Sequence, residues 1–131
     1  MAFCGYLYIN EPSEDVFIVP QDYRGNITVI YGQKEGAEKE FEGSKRIYRI
    51  PKGGVLKTQF RVKGNATSLG TYYYEDDEKR RTPLKTYTST GPLPDSTAIY
   101  VHRMITGIST DATGYTYRFH KAFVGRQNEV P

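Results

Sequence analysis

Two histidines, His102 and His120, are the side chains in this sequence best suited to acid–base chemistry near neutral pH. Catalysis or metal binding would need a carboxylate or a second ligand beside each imidazole. Neither histidine has such a residue at a spacing typical of a metal site or a catalytic motif. We therefore expect each to lie on the more polar face of a strand, hydrogen-bonded or facing solvent. The alternative is a metal-binding or pH-sensing site that the two share.

The stretch EDDEKRR, Glu75 to Arg81, combines four acidic and three basic side chains. A calcium-binding loop needs oxygen ligands at alternating positions and a glycine where the chain turns, and this stretch has no glycine. The basic residues directly after the acids would also oppose cation binding. We expect the tip of a hairpin with compensated charges, where Asp76, Asp77 and Arg80 are candidate contacts for a protein partner.

Three consecutive tyrosines, in TYYYE from Thr71 to Glu75, are the most suggestive feature for molecular recognition. Exposed tyrosine rings can stack on sugars, peptides or bases. Because side chains alternate along a strand, Tyr72 and Tyr74 share one face and Tyr73 takes the other. We expect Tyr72 and Tyr74 to be buried core rings and Tyr73 to be the exposed one, which makes Tyr73 a candidate ligand contact. Tyr23, in a predicted turn, is a further candidate contact.

The sequence contains no recognisable motif for a catalytic nucleophile. Cys4 is the single cysteine, so neither a disulfide within the chain nor a thiolate metal cage can form. There is no G-x-S-x-G elbow, and GNATSLG lacks the lysine of a phosphate-binding loop. We therefore expect a protein that is not an enzyme, with no catalytic residue, no cofactor and no metal site.

The composition favours a single all-β domain that does not bind nucleic acid. Aromatic residues make up 14% of the chain, and 13 glycines and 7 prolines supply turns. The net charge of +3, from 18 basic and 15 acidic residues, is too small for a nucleic-acid footprint. At 131 residues the chain has the usual length of one domain. We assign that domain to 15–126, a flexible N-terminal segment to 1–14 and a C-terminal tail to 127–131, and we expect a monomer.

Apolar residues at alternate positions, without a sustained helical period, predict short strands throughout the chain. The segments FIVPQDYRGNITVI and YRIPKGGVLKTQF share an apolar run, a proline, a glycine turn and an alternating strand, which indicates one turn conformation used twice. Gly25, in the first of these turns, is expected at positive φ. The pattern predicts an antiparallel β-sandwich of the prealbumin or immunoglobulin type, or a partly open barrel. We expect eight to ten short strands and little or no helix.

Two long strands are predicted near the end of the chain. TAIYVHRMI has apolar residues on both faces, which is typical of a central strand. In GYTYRFHKAFVG the rings of Tyr115, Tyr117 and Phe119 alternate with three polar residues, the last of which is His120. This alternation predicts a strand with one solvated side.

From Val16 onward, the sequence resembles a family of uncharacterised bacterial proteins known only as a domain of unknown function and often found as lipoproteins. The resemblance lies in the P-x-x-Y-x-G turn from Pro20, the strand ITVIYGQ, the segments RIYRIPKGGVLKTQF and YYYEDDEKRRTPL, and the closing FVG from Phe123. It implies no activity, substrate or catalytic residue. Family members begin with a signal peptide and a lipid-modified cysteine, so the resemblance makes Cys4 a candidate lipid attachment site. Phe3 departs from the family pattern, because a lipobox has a small residue there.

These features together predict a non-enzymatic β domain of the bacterial cell envelope that binds a protein or a glycan. It would be a lipoprotein tethered to the membrane through Cys4, or a periplasmic or extracellular protein. A cytoplasmic protein is the alternative if Met1 is the native start. The alternative function is an immunity or inhibitor protein that neutralises one specific toxin or enzyme.

Overall fold

The computed structural model describes residues 14–62, 70–87 and 95–131. Cys4 and nearly all of the predicted segment 1–14 lie outside them. The described residues form nine strands and a short 3-10 turn at Gln127–Glu129, and none of their helices is long and apolar enough to cross a membrane. An all-β fold with eight to ten short strands is therefore confirmed. The strands are β1 (Glu14–Pro20), β2 (Gly25–Ile30), β3 (Glu40–Glu42), β4 (Lys45–Arg49), β5 (Val55–Lys57), β6 (Thr71–Glu75), β7 (Arg81–Tyr87), β8 (Tyr100–Thr110) and β9 (Thr116–Gly125).

All nine strands belong to one sheet, in the order β3-β4-β1-β6-β7-β8-β9-β2-β5. Four neighbouring pairs are antiparallel, namely β3–β4, β6–β7, β8–β9 and β2–β9. The other four are parallel, namely β1–β4, β1–β6, β2–β5 and β7–β8. The sheet is thus mixed, which corrects the prediction of purely antiparallel pairing. Alternation within a strand reports which faces are buried, but it does not report the direction of the neighbouring strand.

Strand β7 changes partner along its length, and the sheet folds over at this point. Its first four residues pair with β6, and the last three, from Lys85 to Tyr87, pair with β8. The two halves of the sheet then pack face to face around a shared core. In the described part of the chain the end strands β3 and β5 do not pair, so the sheet is not closed into a barrel. The core takes Phe17, Val19, Tyr48 and Tyr72 from the first half, and Ile27, Val29, Val101, Ala122 and Val124 from the second.

The two similar segments each form an arch, which is a strand, a bend and a second strand. One arch runs from β1 to β2 and the other from β4 to β5, and the two arches stack on each other and connect the two halves of the sheet. Strands β1 and β4 lie side by side and parallel in the first half, and the strands that follow them, β2 and β5, lie side by side and parallel in the second. The arches are joined at their bends, because Ile50 N donates to Ile18 O (2.8 Å) and Thr28 N donates to Gly54 O (2.8 Å). The sequence similarity of the two segments therefore has a structural cause.

Tyr23 fills the space between the two bends. Its hydroxyl donates to the carbonyl oxygen of Asn26, and its own carbonyl oxygen accepts from the Tyr74 hydroxyl (2.7 Å). Gly25 has φ of +131°, which confirms the expected positive φ. Gly54, in the second bend, has φ of +85°, and a Cβ there would come within 2.2 Å of the Tyr23 hydroxyl oxygen. The stacking of the arches therefore requires a glycine at Gly54.

Replacing Gly54 with alanine should lower the free energy of unfolding by about 2 to 4 kcal/mol, because the methyl group meets Tyr23 and the residue is held at positive φ. Chemical denaturation followed by circular dichroism measures this loss. Gly53→Ala is the matched control, since a Cβ at Gly53 meets nothing within 4 Å, and it should change stability by no more than about 0.5 kcal/mol. Equal stabilities for the two variants would contradict the stacked-arch geometry.

Candidate functional site

The tyrosines of TYYYE are structural residues of β6. Tyr72 and Tyr74 are 0% and 6% exposed, as predicted. Tyr73 was expected to be exposed, but it is half-buried and packs against Val16, Ile18 and Ile47 on the opposite face of the sheet. One face of β6 packs into the core through Tyr72 and Tyr74, and the other is partly covered by the cluster around Tyr73. Two of the three rings are therefore core residues.

The acidic stretch after β6 forms a tight, internally bonded turn, in which Asp77 is exposed. The Asp76 carboxylate accepts from the backbone N–H and the guanidinium of Arg80 (both 2.9 Å) and from the backbone N–H of Glu78 (2.9 Å). The backbone and side-chain hydrogen bonds of Arg80 lower the pKa of Asp76. Arg80 also pairs with Glu78 (2.7 Å). The turn thus brings Asp76, Asp77 and Arg80 together, as the sequence predicted for a charge-compensated hairpin tip.

A ladder of ion pairs connects β3, β4, β6 and β7. Arg49 contacts Glu40 and Glu75 (both 2.9 Å), and Arg81 contacts Glu75 (3.0 Å) and Glu42. Burial opposes ionisation of Glu75, but hydrogen bonds from the two guanidinium groups lower its pKa below the ordinary value. Hydrogen bonds from Arg81 likewise lower the pKa of Glu42. Each of these five side chains contacts an opposite charge, and Glu75 is shared by both arginines, so the ladder holds the four strands together.

His102 is buried, at 4% exposure. Its Nε2 donates to the carbonyl oxygen of Gly125 (2.9 Å), and the rings of Tyr87, Tyr100 and Phe123 surround it. The sequence predicted that this histidine would be either hydrogen-bonded or facing solvent. In the structure it is hydrogen-bonded and does not face solvent. The contact joins the beginning of β8 to the end of β9.

His120 is also 4% exposed and lies in the core between the two halves of the sheet. Its Nε2 hydrogen-bonds the Tyr72 hydroxyl, its Nδ1 hydrogen-bonds Thr106 Oγ1 (3.2 Å), and its ring stacks on Phe17 (4.8 Å between centroids). Burial lowers the pKa of His120 to about 4, so the imidazole is neutral at physiological pH. The two histidines have separate partners. Among the described residues no three His, Cys, Asp or Glu side chains form a group that could hold a metal ion.

Beyond the core, β8 and β9 continue as a two-stranded ribbon, residues 103–119, which we call the arm. Pairing of β8 with β7 ends at His102, and pairing of β9 with β2 ends at Phe119. A register shift between His102 and Ile105 marks the start of the arm. Three of its large apolar side chains are half-exposed or more, namely Ile105 (55%), Ile108 (60%) and Tyr115 (50%).

Three rings lie on one face of the arm and form the aromatic row, which is Tyr115, Tyr117 and Phe119. The rings of Tyr115 and Tyr117 are 6.4 Å apart, with planes at 21°. Gly107 and Ser109 lie opposite Phe119 and Tyr117 on β8. These small residues leave room for the rings, because a Cβ at Gly107 would come within 2.9 Å of the Phe119 ring. The row therefore lies outside the core, with Tyr115 half-exposed and Tyr117 and Phe119 half-buried.

Sequence reasoning missed the aromatic row, although the alternation in GYTYRFHKAFVG was the signal that could have found it. The pattern suggested that the polar residues would be solvated and that the rings would be buried. The structure shows the reverse at His120, which faces the core beside Ala122 and Val124. The reason is Tyr72, whose buried hydroxyl provides a partner for an imidazole in the core.

A cleft of about 620 Å³ lies where the arm meets the end of β2 and the segment after β5. Tyr31, which is 7% exposed, contributes to its base, and burial raises the pKa of this phenol, so the hydroxyl stays neutral. Among the described residues, two arginines and no acidic side chain line the cleft. The lining residues are Tyr31, Gly32, Arg61, Val62, Ile108, Tyr115, Thr116, Tyr117 and Arg118.

The model of a family described as a family of unknown function (DUF6843) matches residues 11–130. This match confirms the resemblance found in the sequence. The fold is similar to the crystal structure of a protein from Bacillus anthracis described as a putative lipoprotein, with a TM-score of 0.64 and 20% identity. That similarity covers 88% of this chain and 71% of the other. No curated protein matches the chain.

The buried imidazole of His120 should make folding stability depend on pH. Its pKa falls from 6.5 to about 4 on folding, so the unfolded chain binds the proton more readily. Stability is thus fully present above about pH 6.5 and decreases as the pH falls toward 4, by about 2 kcal/mol between pH 7 and pH 5. Urea denaturation across this range measures the loss. His120→Gln should remove most of the dependence, and an unchanged pH profile in that variant would rule out His120 as its source.

Proposed function

Because the chain belongs to DUF6843, a family of unknown function, we propose a role from the chain's own surface: a non-enzymatic glycan-binding domain of the bacterial cell envelope. The observation that carries the proposal is the aromatic row on the arm. Tyr115, just before β9, is 50% exposed, and the half-buried Tyr117 of β9 lies beside it at 6.4 Å, so two nearly parallel rings share one face of the arm. The ordered arm holds these rings, so a ligand need not organise them.

A saccharide suits this row better than other ligands. Its pyranose ring presents a flat apolar C–H face that can lie on an aromatic ring, while its hydroxyl groups remain in water. Tyrosine is matched to such a ligand because it combines an apolar ring with a polar tip. Gly107 and Ser109, which lie opposite the rings on β8, have little or no side chain. They therefore do not obstruct an extended sugar chain that lies across the rings. Lys121, 4.9 Å from the Phe119 ring, adds a hydrogen-bond donor at one end.

The buried groups of the chain support a binding role over a catalytic one. Each imidazole is enclosed in packed side chains and hydrogen-bonded, and the acidic groups of the ion-pair ladder are bonded to guanidinium groups. A reacting site needs such groups to converge on a space that a substrate can enter. The envelope location rests on the resemblance to a family often found as lipoproteins. The similar fold of a Bacillus anthracis protein described as a putative lipoprotein also supports it.

Alanine at Tyr115 should weaken binding of a neutral glycan about tenfold, equivalent to about 1.4 kcal/mol, because a stacking surface is lost. Isothermal titration with a β-1,4-linked N-acetylglucosamine tetramer measures this, after a glycan array has ranked neutral alternatives. Tyr115→Phe keeps the ring and should bind like the parent chain.

Phe41→Ala is the matched control for this titration, because Phe41 is also 50% exposed but lies on β3, outside the aromatic row and the cleft lining. It should bind the tetramer like the parent chain. An equal loss in Phe41→Ala, or parental affinity in both Tyr115→Ala and Tyr117→Ala, would refute the proposal. If no glycan binds and a protein partner does, the alternative of an immunity or inhibitor protein gains support instead.

A further inference from the structure

We infer that the cleft beside the aromatic row binds an acidic group, a carboxylate or a phosphate, carried by the glycan that stacks on the row. This charge preference rests on the proposed glycan-binding function and adds the charge of the ligand to it. The two surfaces adjoin along β9: Thr116 and Arg118 of the cleft alternate with the rings of the row, and Tyr115 and Tyr117 also border the cleft. We infer that a sugar chain lying on the row continues past the edge of the strand and places its acidic unit in the cleft.

The arginines of the cleft differ from most other arginines of the chain. Within residues 14–62, 70–87 and 95–131, the guanidinium groups of Arg61 and Arg118 form no ion pair or side-chain hydrogen bond. Elsewhere the guanidinium groups are largely occupied. Arg24, Arg49, Arg80 and Arg81 pair with carboxylates, and Arg46 and Arg126 donate to backbone carbonyl oxygens.

The composition of the cleft wall also favours an anion. Arg61 and Arg118 bring two positive charges to one cavity, and none of the lining residues is acidic. A guanidinium group offers a planar set of N–H donors that matches the paired oxygens of a carboxylate or phosphate. The exposed Thr116 hydroxyl adds a group that can donate a hydrogen bond without adding charge. The cavity is large enough for one acidic sugar unit, at about 620 Å³.

A comparison of neutral and acidic oligosaccharides tests this inference directly. Isothermal titration compares the N-acetylglucosamine tetramer with a tetrasaccharide that alternates N-acetylglucosamine and glucuronate, at constant ionic strength. The acidic tetrasaccharide should bind about tenfold more tightly. Arg118→Gln and Arg61→Gln should each remove most of that difference while affinity for the neutral tetramer stays unchanged.

Arg103→Gln is the matched control, because Arg103 is exposed on the same arm but does not line the cleft. It should bind both oligosaccharides like the parent chain. A loss in Arg103→Gln as large as that in Arg118→Gln would show that general charge, not the cleft, attracts the ligand, and would overturn the inference. Equal affinity for the neutral and acidic tetramers would overturn it too, while leaving the proposed function intact.

Sodium phosphate and sodium acetate distinguish the two acidic groups and test the cleft without a sugar. Backbone amide shifts in NMR spectra should change at Gly32, Arg61 and Arg118 with one or both salts, and sodium chloride at equal ionic strength should not reproduce them. The stronger response identifies phosphate or carboxylate as the preferred group. If these shifts occur but no oligosaccharide binds, the anion site stands and the proposed glycan function fails. If no salt produces localised shifts and the arginine variants bind normally, the inference is wrong.

Discussion

The packing of Phe17 holds the two halves of the folded sheet together. Its ring stacks on Tyr48 and Tyr72 from its own half, at 4.9 and 4.7 Å, and on His120 from the other half, at 4.8 Å. Aromatic groups therefore fill the centre of the core, and the one imidazole among them is neutral and hydrogen-bonded at both nitrogens. The binding proposed for this domain is accordingly at its surface, where the arm carries the most exposed large apolar side chains of the described residues, Ile105 and Ile108.

The register of β9 determines where both parts of the candidate site lie. Because His120 faces the core, Arg118 and Thr116 lie on the same side of the strand, past the edge of the core, where they line the cleft. Tyr117 and Phe119 consequently face outward. A shift of β9 by one residue would bury the rings, expose His120 and break its bond to Tyr72. The buried hydrogen bond between Tyr72 and His120 thus stabilises the register in which Tyr117 and Phe119 face away from the core.

The fold class and the arches could be predicted from the sequence because they depend on local patterns. Alternation locates strands, and the proline–glycine turns of FIVPQDYRG and YRIPKGG are similar enough to show that one bend is used twice. The parallel pairing of the arches could not be predicted, since it depends on contacts between distant segments such as Ile18 and Ile50. The site was missed for the same reason. Strand alternation was enough to predict the burial of Tyr72, but the exposure of Tyr115 depends on where the strands beside β9 end, which the sequence pattern does not show.

The central claim is that a sugar face lies on the rings of the arm, and NMR can observe this contact in the unmodified protein. With ¹³C-labelled tyrosine and phenylalanine and an unlabelled N-acetylglucosamine tetramer, the sugar C–H protons should give intermolecular nuclear Overhauser effects to the rings of Tyr115 and Tyr117. Tyr73, on the other half of the sheet, should give none. Effects confined to rings outside the arm, or saturation with the tetramer without any effect at Tyr115 and Tyr117, would contradict the claim.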